Sequence, residues 1–307
     1  MKRKMKRNTK KRMRISTGDR IYLCVVYLFL LVFTGCILYP LLYVVSCSFS
    51  SPEALIQGRV FFLPVEPGLQ GYTAVFNNNR VWSGYGNTIL YTVTGTVVAT
   101  AVTMIASFVL SRREFPLRKF LTAFFMVTMF IGGGTIPMYL WLKTMHMLNT
   151  IWALVLPGAV SVWMVIVGKT FLQSTVPEEL FEATCLDGGS YIQYFVRVVL
   201  PLSKPIIAVM ALNFALGHWN SYYSALIYLK SAEKYPLQIV LRDILIQNSV
   251  DLASMVGTDI NSQLHQQYLS ELLKYSLIIV SSLPLLIVYP FLQKYFIKGT
   301  MIGSVKG

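Results

Sequence analysis

Three groups of residues in this 307-residue sequence have the types and spacing to do chemistry. The first is Gly168-Lys169-Thr170, the ending of a phosphate-binding loop whose lysine would reach nucleotide phosphates. That loop also needs a glycine where this chain has Trp163, so the segment makes no nucleotide site, and any nucleotide that drives the protein binds another chain. The second group is Asn213, Gly217 and Asn220, four and three residues apart on one helical face, with Trp219 and Tyr222 nearby. Amides hydrogen-bond hydroxyls and aromatic rings stack on sugar faces, so this set suits a carbohydrate; Asn and Gly equally serve helix–helix packing. The third group is Thr92, Thr96, Thr100, Thr103 and Ser107, a stripe of small hydroxyls that suits close packing against another helix better than a pore lining.

What is missing narrows the classes further. The apolar runs hold no Asp or Glu at their centres, where ion-coupled carriers need them, and no paired groups at catalytic spacing. Cys24, Cys36 and Cys47 lie in one apolar run and Cys185 elsewhere, while His146, His218 and His265 are scattered. Neither set has the spacing of a metal site or a disulfide framework.

The elements that must position these residues are set by composition. Hydrophobic residues make up 55% of the chain and charged ones 13%, about half the charged share of a soluble domain. Mean hydropathy is +0.57. Six apolar runs of spanning length occur, at about 21–49, 84–110, 119–142, 150–172, 201–229 and 272–296. The first is too long for the core of a signal peptide and lacks an evident cleavage site, so it reads as a retained span. With both termini cytoplasmic, 20 of the 27 Lys and Arg residues fall inside, as the positive-inside rule requires. The expected fold is an all-α integral membrane protein of six transmembrane helices. A basic cytoplasmic segment (1–20) precedes the membrane domain (21–296), and a cytoplasmic tail (297–307) follows. Ten of the basic residues precede the first span, where anionic lipid headgroups explain them better than nucleic acid does.

The loop at 174–201 is the most informative segment. Thr175 with Glu178 fits a capping box, and Pro177, Glu178, Glu179 and Glu182 suit the electropositive start of a helix. Gly188 and Gly189 stop that helix, and Ser190 with Gln193 starts a second one that ends near Pro201 and Pro205. These signals predict a rigid helix-turn-helix knob presented to the cytoplasm.

The spacing Glu182-Ala183-Thr184, Gly188, Val198-x-Leu200-Pro201 resembles the EAA loop of ATP-binding-cassette (ABC) importer permeases. Thr184 and Val198 depart from that pattern conservatively. The similarity extends over nearly the whole chain and points to the carbohydrate-uptake permeases of the maltose-system type, within the subfamily that moves oligosaccharides and polysaccharide fragments. It rests also on Ser46 to Gly58, Asn87 to Tyr91, Ile136-Pro137-Tyr139, Asn149-Thr150, Trp152-Ala153-Leu154, Trp219 to Tyr222 and the tail from Gly299.

The resemblance implies the type I importer fold and the role of the smaller of two non-identical permeases. Two ABC ATPase subunits would bind the ATP, an extracellular binding protein would deliver the sugar, and this chain would hold no cofactor and catalyse no reaction. It also implies that Glu178, Glu182, Ala183, Thr184, Asp187, Gly188, Leu200 and Pro201 belong to the ATPase-coupling loop, with Gly303, Val305, Lys306 and Gly307 of the tail at the ATPase. Asn213, Gly217, Trp219, Asn220 and Tyr222 are candidates for the substrate pathway. The outer segment 230–271, with Ile244, Leu245, Leu264, Tyr268, Leu272 and Leu273 at helical spacing, reads as an interfacial helix or a surface for the binding protein. Rival readings are an importer permease for a non-sugar solute and a membrane scaffold without transport activity.

Overall fold

A computed structural model describes residues 16–254, 273–287 and 289–290, which form helices and connections with no strand among them. The backbone N–H of Ser16 donates to Asp19 Oδ2 at 3.1 Å and opens α1 (Thr17–Ser48). Two short helices follow, α2 (Pro52–Ile56), capped by the Ser51 hydroxyl, and α3 (Gln70–Phe76). The chain then enters α4 (Asn79–Ser111), whose 33 residues span about 50 Å, longer than the bilayer's hydrocarbon core. Next come α5 (Arg118–Phe130), α6 (Thr135–Thr144), α7 (Trp152–Val155) and α8 (Val162–Thr175). The knob consists of α9 (Glu179–Leu186), α10 (Tyr191–Tyr194), a π-helical turn (Phe195–Val199) and α11 (Leu200–Leu202). Beyond it lie α12 (Lys204–Trp219), α13 (Tyr222–Tyr228), α14 (Leu237–Ser254) and α15 (Leu273–Ile287).

Among the described residues, α1 and α4 are long and apolar enough to cross a membrane alone. Two bent pairs raise the number to four: α5 with α6 at 113°, and the helix Tyr191–Leu202 with α12 at 81°. The apolar runs 119–142, 150–172 and 201–229 are therefore interrupted rather than continuous. Gly132, Gly133 and Gly134 break the first, Pro157 and Gly158 the second, and Asn220 with Ser221 the third. Gly134 has φ +80°, a left-handed value that ends one helix direction and begins another.

The core is built around α4, which packs chiefly on α12, α8 and α14. Glycines make these contacts close. A Cβ on Gly95 would stand 2.4 Å from the His218 ring of α12, and one on Gly168 would stand 2.4 Å from Met210 and 2.5 Å from the Ser107 hydroxyl. Helices in lipid gain little from hiding apolar surface from one another, so small residues that let backbones approach decide which faces meet. Hydrogen bonds reinforce both ends of the α4 face: Ser107 Oγ donates to Val165 O at 3.1 Å, and the Leu237 N–H donates to Thr88 Oγ1 at 2.8 Å. The hydroxyl stripe is thus a packing seam, with Thr103 and Ser107 fully buried.

By contrast, the apolar stretch of α1 buries none of its residues among the described parts of the chain. It meets the bundle near its C-terminal end, where Tyr43 and Cys47 pack with Ala54, Val60 and Tyr275. The outer segment also differs from expectation, because Ile244 and Leu245 of α14 pack inward with Val75, Val81 and Leu277 rather than outward onto a membrane surface. Leu264, Tyr268 and Leu272 lie outside the described residues.

Connections at one end of the bundle bond to one another. Asn149 Oδ1 accepts from the Lys230 and Ser231 N–H groups, and Asn87 Nδ2 donates to Glu233 O and Tyr235 O. Residues 112–114 and 173–199 gather at the other end. Replacing Gly95 with valine drives a branched side chain into the His218 ring, and overpacking of this kind costs about 1–3 kcal/mol. Thermal unfolding of the purified chain is expected to show a lowered midpoint for Gly95→Val and an unchanged one for Gly86→Ala, whose Cβ meets nothing within 4 Å.

Candidate functional site

Two places in the fold gather the residues singled out by the sequence. The first is the knob. Its opening helix α9 starts at Glu179 with Glu178 as N-cap, and Glu179 and Glu182 occupy the electropositive first turn. The expected Thr175–Glu178 capping box is not made, because Thr175 remains the last residue of α8 and Glu178 instead pairs with Arg113 at 3.6 Å. Gly188 has φ +73° and ends α9, a conformation that a β-carbon opposes. The second box forms as read: the Ser190 hydroxyl accepts from the Gln193 N–H at 3.3 Å, and Gln193 Oε1 accepts from the Ser190 N–H at 2.9 Å.

Glu182, Ala183, Asp187 and Gly188 are exposed on the knob's outer face. Thr184 is half-buried: its hydroxyl donates to Leu180 O at 2.7 Å, and its methyl occupies the space a side chain on Gly189 would need. Leu200 packs against the core cluster beneath the knob, while Pro201 is exposed. Leu186 and Ile192, 89% and 76% exposed, add large apolar side chains to the knob's surface that charge and glycine spacing do not signal. Their signal was a leucine at the last position of a short polar-faced helix. The underside is aromatic, with Phe181 5.2 Å from Tyr194 and Phe108 of α4 4.9 Å from Phe195.

The second place is a cavity of roughly 410 Å³ lined by residues of α12 and α13 and of the 156–161 break. Asn213, Gly217 and Asn220 line it together, as their common helical face required. Trp219 and Tyr222 do not: Trp219 is buried beside Tyr85, and Tyr222 packs against the α7–α13 cluster. Ser221, Tyr223, Ser224 and His218 line it instead, residues that a strict helical-face reading missed because α12 ends at Trp219 and the chain turns. Two helix breaks, at Pro157-Gly158 and at Asn220-Ser221, meet at this cavity. Non-helical backbone in a membrane protein is tolerated where it is buried in protein or lines a water-filled cavity, and here it borders a cavity whose mixed lining includes Asn213, Asn220, Ser221 and Ser224. Gly303, Val305, Lys306 and Gly307 lie outside the described residues.

No family model matches the chain. Protein LplC of Bacillus subtilis (strain 168) is 39% identical over 268 residues, 87% of this chain and 89% of that protein. The polygalacturonan/rhamnogalacturonan transport system permease protein YtcP of the same organism is 34% identical over 289 residues, covering 94% of this chain and 99% of that one. The chain belongs to the carbohydrate-uptake permeases of ABC importers. Its fold agrees: a chain of a solved bacterial ABC transporter, involved in the import of the acidic polysaccharide alginate, matches it with a TM-score of 0.82 at 31% identity. That match covers 92% of this chain and 98% of the other.

The permease is a membrane-embedded transport subunit of an ABC import system rather than an enzyme. Water access to its cavity is directly measurable. Cysteines replacing Asn213 and Ser224 are expected to react with a hydrophilic maleimide in native membranes, and a cysteine replacing the fully buried Ala225 is expected not to. Equal labelling at all three positions would contradict the geometry.

Proposed function

We propose that the permease crosses the membrane six times with both termini in the cytoplasm. In this reading it pairs with a second, non-identical permease and is driven through its knob by two ATPase subunits that bind the ATP. The observation carrying it is the pairing of a rigid, exposed knob at one end with a cavity at two helix breaks. Supporting the permease partner is α1, a helix of 32 residues whose apolar stretch finds no cover among the described residues. Charge supports the orientation, since the end bearing the knob also carries Arg112, Arg113 and Arg118.

In this arrangement the exposed face of α9, with Glu182, Ala183, Asp187 and Leu186, docks into a cleft on the ATPase. Glu178 and Leu200 hold that helix from behind, and Thr184 and Gly188 shape its end. The tail residues Gly303, Val305, Lys306 and Gly307 reach the same interface. Asn213, Gly217 and Asn220 contact the passing sugar, which an extracellular binding protein delivers to the opposite end. Trp219 and Tyr222 support that wall from outside the cavity. The substrate class we favour is an oligosaccharide from an acidic polysaccharide, because relatives at 34% and 31% identity carry polygalacturonan/rhamnogalacturonan and alginate in their descriptions.

One experiment tests the coupling and the substrate together: recovery of the ATPase with the tagged permease, alongside uptake of labelled oligogalacturonides and neutral arabinooligosaccharides by the same membranes. Gly188→Val forces a β-branched residue to positive φ at a cost on the order of 1–3 kcal/mol, and a loss of about 1.4 kcal/mol is tenfold in binding. Gly188→Val and Leu186→Asp are expected to lower ATPase recovery about tenfold and abolish uptake, whereas Gly188→Asn, which tolerates the left-handed region, retains most of both. Wild-type recovery in Gly188→Val and Leu186→Asp would refute docking through α9. Uptake of neither oligosaccharide by wild-type membranes would favour another solute, and absence of any ATPase would favour a scaffold.

A further inference from the structure

Arg112 follows the last residue of α4, and its side chain is only 12% exposed, against 80% for Arg113 beside it. Its guanidinium lies 4.4 Å from the centre of the Phe181 ring of α9 and 5.3 Å from that of Tyr194 of α10. One side chain at the end of α4 thus touches both helices of the knob. Its carboxylate neighbour Glu114 stands 3.5 Å away and is 45% exposed, a rim pair of the kind that contributes little. The ring contacts, shielded from water, and a 3.4 Å hydrogen bond from Arg112 Nη1 to the Tyr194 hydroxyl join the side chain to the knob. A planar guanidinium stacked on rings from two helices fixes their angle to α4 in a way that an aliphatic side chain of similar length does not.

Both covalent routes from the knob to the bundle pass through interruptions of regular α-helix. On one side Val176 is extended and precedes Pro177. On the other, the π-helical turn Phe195–Val199 leads to the 81° bend at Ser203. A π-turn interrupts the regular α-helical hydrogen-bond ladder. A direct non-covalent route also joins the knob to α4, through Phe181 and Tyr194 to Arg112 and through Tyr194 and Phe195 to Phe108. That helix then runs to the other end of the bundle, where Asn87 Nδ2 and the Tyr91 hydroxyl donate to carbonyls of residues 233–235.

We propose that Arg112 is a positioning residue for transport: it joins the knob to α4, so that displacement of α9 by the ATPase moves α4 and, with it, the cavity wall and the far connections. This rests on the reading of α9 as the ATPase-docking helix. The test uses the complete transporter in membranes, with native cysteines replaced by serine and Ser224→Cys as a reporter in the cavity. The readouts are the maleimide-labelling rate with and without ATP plus vanadate, and recovery of the ATPase with the permease. ATP is expected to change the rate about fivefold or more when Arg112 is present. Arg112→Gln and Phe181→Leu are expected to lose that response while retaining the ATPase, and Arg112→Lys, which keeps the charge without the planar stack, recovers part of it. A full ATP response in Arg112→Gln or Phe181→Leu overturns the inference, as does loss of ATPase recovery in step with the response. If the Arg112 parent retains the ATPase but shows no ATP response, the inference fails while docking stands; if Leu186→Asp leaves ATPase recovery intact, the docking reading itself fails.

Discussion

The close approach of α4 to α12 and α8, through Gly95 against His218 and Gly168 against Met210 and Ser107, is the contact on which the rest of this bundle depends. Between helices in lipid the hydrophobic effect supplies little discrimination, so fit of surfaces and a few hydrogen bonds must fix the arrangement. With α4 held at these crossings, its two ends are placed: Thr88 and Asn87 bind the 233–237 segment at one, and Phe108 and Arg112 bind the knob at the other. The cavity lies along α12, which α4 supports from behind.

That geometry gives a physical division of labour within one chain. Straight helix transmits displacement, because its hydrogen-bond ladder resists stretching and bending. Interruptions supply polar backbone and places to bend. The breaks at Pro157-Gly158 and Asn220-Ser221 are gathered at the cavity. The π-helical turn Phe195–Val199 lies within the knob instead, and the bend at Ser203 closes it. A permease needs both properties, since alternating access is largely rigid-body motion around a site with unwound backbone.

Features governed by neighbours in sequence were legible before the fold was known. The Ser190–Gln193 capping box and the left-handed Gly188 are decided within four residues, and the shared face of Asn213, Gly217 and Asn220 follows from helical geometry alone. Features decided by contact between distant segments were not. Hydropathy sums over a window and does not register that Gly132 to Gly134 or Pro157-Gly158 redirect the backbone, so three runs read as continuous helices. The Thr175–Glu178 box lost to continuation of α8 and to the pull of Arg113 on Glu178. Trp219 turned from the cavity because Tyr85 on α4 offers it a ring contact, and nothing local encodes that choice.

On this geometry the knob and α4 move as one rigid body. Distance measurement between spin labels tests it most directly, with one label on native Cys185 of α9, the other exposed cysteines replaced by serine, and a second label at Asn79→Cys at the far end of α4. In the assembled transporter this distance is expected to stay constant between the nucleotide-free and ATP-bound states, while the distance from either label to the neighbouring permease changes. A shift of several ångströms between Cys185 and position 79 on ATP binding would contradict the account.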